Sequence, residues 1–198
     1  ALSVAEGWTR DLDARLLLII RGAPADQPPF GPLWFQEAVR DITALGSMIV
    51  LSLVVVIGAV LLLASGRHRL AGLLVASSLA ATAYSTLLKL VFDRPRPDLV
   101  AHGMATFTSS FPSGHSLLSA AILLTNGGLL AFAARRESES WVIGIAAILL
   151  TTLVGLSRVY LGVHWPSDVL AGWLFGTVWA CLTLFLARGL SPLPKLYG

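Results

Sequence analysis

Charged residues are scarce in this chain. They make up 13% of its 198 residues, against about 25% in an ordinary soluble domain. Cysteine is almost missing: the single Cys181 cannot form an intramolecular disulfide, so redox compartment is uninformative. Net charge is only +3, with a pI of about 9.5, and there is no polybasic arm of the kind that holds nucleic acid. Internal repeats and low-complexity tracts are lacking as well. These absences exclude an ordinary soluble domain, a disulfide scaffold and an electrostatic nucleic-acid binder.

What the chain does have is apolar length. Hydrophobic residues make up 56% of it, and mean hydropathy is +0.78. Residues 44–65, 70–88, 116–134, 141–157 and 169–187 are five uncharged stretches. A membrane span needs about 20 apolar residues; all five qualify, the fourth only just. Buried helices of a soluble protein would carry polar faces, and these have almost none. The pattern predicts an all-α integral membrane helix bundle forming one domain over residues 1–198. Residues 1–43 form an interfacial N-terminal region, 44–187 the transmembrane bundle and 188–198 a tail.

The N-terminal region is mixed. GWTRDLDARLLLIIRG holds a five-residue apolar core, too short for a span or a signal peptide. It suits a short helix at the membrane surface with Arg10, Arg15 and Arg21 kept wet. The prolines of APADQPPFGP predict an irregular loop, and PLWFQEAVRDI a second interfacial helix leading into the first span. Trp34, Trp141 and Trp165 lie near segment ends, where an aromatic belt meets water.

Parity then sorts the loops. GRHRL, ARRESES and the tail with Arg188 and Lys195 fall on one face, and short loops rich in Lys and Arg favour the cytoplasm. Arg10, Arg15, Arg21 and Arg40 fall on the other, extracytoplasmic face. So do the clusters KLVFDRPRPD, FPSGH and SRVYLGVHWPSD. Topology therefore brings Lys89, Arg94, Arg96, Ser113, His115, Arg158, His164 and Asp168 to one end of the bundle.

Those residue types suit phosphoryl transfer. Lys89, Arg96 and Arg158 form a cationic pocket, and guanidinium forks match phosphate oxygens. Ser113 and Gly114 stand where a helix begins, so backbone N–H groups can face an anion that glycine lets approach. One histidine can attack phosphorus while another protonates the leaving oxygen. Asp168, four residues after His164, can fix that ring's tautomer, and Pro166 is tolerated in a first helical turn. Taken singly, each element has a plainer explanation. His115 could be an interfacial polar residue, DRPRPD a loop that anchors to headgroups, and PSGH an N-terminal turn. Asn126, Gly127 and Gly128 read as helix packing. Three clusters on one face favour a shared site.

Lys89, Arg96 and Pro97 as K-x6-RP, Pro112 to His115 as PSGH, and Ser157, Arg158, His164 and Asp168 as SR-x5-H-x3-D resemble the tripartite signature of the type 2 phosphatidic acid phosphatase superfamily. That family includes membrane lipid phosphatases, glucose-6-phosphatase and vanadium haloperoxidases. The resemblance implies that His164 is a nucleophile forming a phosphohistidine, Asp168 its orienting partner and His115 the general acid. It implies that Lys89, Arg96, Ser113, Gly114 and Arg158 cradle the phosphate. No metal or other cofactor is then required, since three cations supply the positive charge.

Family members usually have six spans with both termini in the cytoplasm, so either a first span upstream of Ala1, the favoured reading, or a partial insertion of residues 12–20 is expected. The partner this implies is a lipid phosphate or pyrophosphate at the outer face of a bacterial inner membrane, with no nucleic acid involved. Candidates are undecaprenyl pyrophosphate, phosphatidylglycerophosphate, phosphatidic acid and lipid A phosphates. Headgroup selection is expected in the loop 98–110, where His102 is read as solvated, and in the N-terminal region. The rivals are a lipid phosphotransferase, a haloperoxidase and a non-catalytic lipid-phosphate binding or transport protein. A channel fits less well, because the charges gather at one end.

Overall fold

A computed structural model describes residues 8–22, 27–99, 109–134 and 136–190. These form seven helices and no strand: α1 (Arg10–Arg21), α2 (Leu33–Ala44), α3 (Met48–Ala64), α4 (His68–Val91), α5 (Gly114–Ala133), α6 (Glu137–Tyr160) and α7 (Pro166–Leu190). Most of the loop 98–110, with His102, and the tail with Lys195 lie outside the described residues.

Helices α4, α5, α6 and α7 are each long and apolar enough to cross a membrane. A fifth span arises only if α2 and α3, bent by 54° at their junction, are taken together. Helix α3 alone has 17 residues, about 26 Å at 1.5 Å per residue, short of the roughly 30 Å hydrocarbon core. The five expected stretches thus correspond to α3 to α7. The last four helices extend past the uncharged windows, which stopped at Lys89, Arg158 and Asp168. Those three residues are helical and sit in terminal turns. The cations lie at C-terminal ends and the carboxylate at an N-terminal end, as the helix dipole favours.

Helix α5 is the centre of the bundle, packing most extensively against α7 and α6. Two glycines set the closest approach. A Cβ at Gly172 would stand 2.8 Å from the Ser113 carbonyl oxygen, and one at Gly176 would press still harder on the backbone of Leu117. This small-residue seam brings the start of α7 against the start of α5. The remaining faces of the long helices turn Leu79, Val142, Ile145, Leu182 and Phe185 outward, the surface expected against lipid chains.

Two expectations need correction. Trp34 and Trp141 are 68% and 66% exposed, as belt residues should be, but Trp165 is 3% exposed. Its ring lies under the Arg94 guanidinium at 5.6 Å, and its Nε1 donates to the Pro95 carbonyl. Arg10 and Arg15 are exposed whereas Arg21 is buried. It follows Asp13 and Leu17 on the inward stripe of α1, and it donates to the Gln27 carbonyl at 3.0 Å. The spacing of four puts all three on one helix face.

Candidate active site

Three chain segments and three helix ends converge above α5. The peptide segment after α4 carries Arg94 and Arg96, with prolines at 95 and 97 holding it out of helix. The turn before α5 carries Ser110 to Ser113, and the loop between α6 and α7 carries His164.

His164 is enclosed, with a partner at each ring nitrogen. Arg96 Nη1 stands 3.2 Å from Nε2. A guanidinium can only donate, so Nε2 accepts and the proton of neutral His164 belongs on Nδ1. That nitrogen faces Asp168 Oδ2 at 3.5 Å, a distance that substrate binding can tighten. Burial pushes His164 down from 6.5 to about 4. The hydrogen bond and charge of Asp168 oppose that shift, while Arg158 and Arg96 add to it. His164 is therefore neutral at ordinary pH, with its lone pair on the Arg96 side.

Asp168 is fully buried and well held. Its Oδ2 accepts from the Ser110 hydroxyl and, at 3.0 Å, from the Trp165 backbone N–H. Its Oδ1 accepts from Arg94. The backbone closes the same corner, since the Ser113 N–H donates to the Asp168 carbonyl at 3.1 Å.

Of the remaining predicted residues, Lys89 donates to the Ser109 carbonyl at 3.0 Å. A Cβ on Gly114 would stand 3.2 Å from Lys89 Cε, so glycine leaves room for the lysine stem at the helix start. Arg158 is buried and donates to Thr43 Oγ1 at 3.0 Å; Arg96 also donates to the Val163 carbonyl at 2.8 Å. His115 is half-buried in the first turn of α5, within electrostatic reach of Arg158, His164, Lys89 and Arg96. Ser113 is the N-cap of α5: its hydroxyl accepts from the Ser116 N–H at 3.4 Å and the Ser116 hydroxyl at 2.9 Å. All eight predicted residues thus lie at one end of the bundle, with the Ser113 hydroxyl turned into the helix cap.

A profile of the PAP2 superfamily matches residues 70–189, which include every one of these eight positions. The chain is 35% identical over 173 residues to phosphatidylglycerophosphatase B of Bacillus subtilis, covering 79% of this chain and 75% of that protein. The chain belongs to the PAP2 superfamily. Undecaprenyl-diphosphatase of Sulfolobus acidocaldarius is 36% identical over 87 residues, 44% of this chain and 37% of that protein. The crystal structure of a transmembrane PAP2-type phosphatidylglycerolphosphate phosphatase from Bacillus subtilis superposes with a TM-score of 0.82 at 26% identity. It covers 93% of this chain and 88% of that one. With these relatives and its long apolar helices, the chain is an integral membrane protein of the PAP2 phosphatases.

Sequence reasoning overlooked Ser110, Thr43 and Asp13, and it grouped Arg94 with the other cations without a role. The signal for Arg94 was the pair of arginines separated by one proline. A proline-rich segment in polyproline form turns about three residues per repeat, so arginines two apart need not share a face. Arg96 meets Nε2 of His164, whereas Arg94 meets Oδ1 of Asp168.

Proposed function

We propose that this protein hydrolyses a lipid phosphate or pyrophosphate through a phosphohistidine on His164. The reading is carried by the arrangement around that ring, with Nε2 against Arg96 and Nδ1 against a buried carboxylate. Nε2 attacks phosphorus as the bond to the leaving oxygen breaks, and His115 gives that oxygen its proton. The imidazole becomes cationic, and Asp168 stabilises the charge from behind. Lys89, Arg96 and Arg158 pair with the equatorial oxygens of the transition state, joined by first-turn N–H groups of α5. Water then attacks the phosphohistidine, the P–N bond breaks, His115 takes the water's proton, and inorganic phosphate leaves. The cations carry the charge a metal would otherwise offset, so the reaction is metal-independent on this reading.

A lipid tail is supported by an apolar crevice of about 270 Å³ between α3 and α4, lined by Met48, Leu51, Val55, Leu79, Thr82 and Ile122 among others. Met48 follows Gly46, which packs on His115, and Thr82 lies one turn below Ser85, which faces Gly114. The crevice therefore begins about a turn from the reacting groups. Arg67, Arg69 and Arg136 at the opposite end favour the cytoplasm, which supports a site at the extracytoplasmic face. The relatives named above act on phosphatidylglycerophosphate and undecaprenyl diphosphate by their names, and both classes belong in the substrate panel. The test is phosphate release by purified protein in EDTA across lipid phosphates and pyrophosphates, beside His164→Ala. Release by the wild type alone is expected; equal rates in the two proteins would sink the proposal.

A further inference from the structure

We infer that Asp13 and Arg94 are positioning residues for this reaction, through which the interfacial helix α1 holds Asp168 against His164. The inference rests on reading His164 and Asp168 as the reacting pair. Asp13, Arg94 and Asp168 are 2%, 4% and 0% exposed, so one cation and two carboxylates are enclosed together. Arg94 Nη2 pairs with Asp13 Oδ2 at 2.8 Å, and Nη1 pairs with Asp168 Oδ1. Nη1 also donates to Ser167 Oγ at 2.8 Å, and the Trp165 ring supports the guanidinium face. The fork is thereby fixed on both sides.

Asp13 does a second task. Helix α7 starts at Pro166, which has no N–H, so Ser167 carries the first exposed backbone donor. That N–H donates to Asp13 Oδ1 at 2.9 Å, and the Ser167 hydroxyl donates to Oδ2 at 2.6 Å. A residue more than 150 positions away thus caps the helix that bears Asp168, a task an N-cap residue ordinarily performs locally. Docking of α1 is in this way coupled to the orientation of the carboxylate behind His164.

Charge gives the test its discrimination. Asp168 faces His164 from α7 and Arg96 from the preceding segment, while Arg158 of α6 and His115 of α5 act on the ring electrostatically. Lys89 of α4 acts on Asp168. Removing Asp13 leaves Arg94 wholly to Asp168, which weakens the carboxylate's hold on the imidazolium. Removing Arg94 strengthens that hold. The acid limb of kcat/KM should therefore move down in Asp13→Asn and up in Arg94→Met, opposite directions that a shared folding defect cannot produce.

The experiment uses the full chain in detergent with EDTA and phosphatidic acid micelles. Asp13→Asn should lose about 10- to 100-fold in kcat, by analogy with outer-shell groups that orient the ligands of a metal, with KM within about twofold and partial rescue in Asp13→Glu. Arg94→Met can fail to fold, because it strands two buried carboxylates. The double variant Asp13→Leu with Arg94→Met removes the buried pair together, and it should fold and remain slow. Wild-type kcat in that double variant, or single variants whose acid limbs stay in place, would overturn the inference. Equal rates in wild type and His164→Ala, zero included, would instead remove the reading beneath it.

Discussion

His164 sits in the loop between α6 and α7, enclosed, with a partner at each ring nitrogen. His115 sits in the first turn of α5, half-buried, and among the described residues no hydrogen bond reaches its ring. The difference matches what the two proposed tasks demand. A nucleophile must present one nitrogen in one direction, so its tautomer is fixed from behind and its lone pair is aimed from in front. A general acid must follow an oxygen as its bond breaks, and it must exchange its proton between turnovers. Enclosure suits the first ring, and partial exposure suits the second.

The largest expected effect is on the enclosed ring. His164→Ala should lose roughly 10⁵- to 10⁶-fold in kcat, the scale seen when a covalent nucleophile is deleted, and protein quenched in alkaline detergent should carry a phosphoryl group in the wild type and none in the variant. Asp168→Asn should follow at roughly 10³- to 10⁴-fold in kcat with KM little changed. Because the charge of Asp168 opposes the burial that lowers His164 to about 4, removing that charge should move the acid limb to still lower pH. On the proposed mechanism the neutral His164 ring is the reactive form, so the acid limb of kcat/KM should appear only as His164 protonates near 4; an acid limb at 6 to 7 would contradict that enclosure.

His115→Ala should cost roughly 10²- to 10⁴-fold on an alkyl phosphate, yet far less on 4-nitrophenyl phosphate, whose leaving oxygen needs no proton. Rates on both substrates separate the two histidines, since a good leaving group should not rescue His164→Ala. The smallest effect belongs to Thr43→Val, which deletes one hydrogen bond to Arg158. Hydrogen bonds to charged groups contribute about 1.5–3 kcal/mol, so kcat/KM should fall by at least about tenfold.

Much of the fold was legible because hydrocarbon length is written directly in the residues. The stretch 116–134 became Gly114–Ala133, and 169–187 became Pro166–Leu190. The windows were short where they met a charge, which is where helix ends place Lys89, Arg158 and Asp168. Parity then brought the polar clusters together without any side-chain geometry. What could not be read was how the interfacial helices dock. Asp13 and Thr43 look like ordinary surface residues of short amphipathic segments, and their burial depends on contacts 81 and 115 positions away. Trp165 was misjudged for the same reason: a tryptophan at a span end suits the water boundary, and only the Arg94 guanidinium explains why this one is enclosed.

Helix α3, at about 26 Å, is shorter than a hydrocarbon core of roughly 30 Å, and its continuation α2 departs at 54°. Lipid meeting that flank faces hydrophobic mismatch and relieves it by thinning. The flank is also where the crevice between α3 and α4 opens. On the proposed function, a dimple in the bilayer at this position would lower passing headgroups toward Lys89 and Arg158, so membrane thickness itself becomes a variable in substrate capture, and host lipids with shorter chains should ease entry.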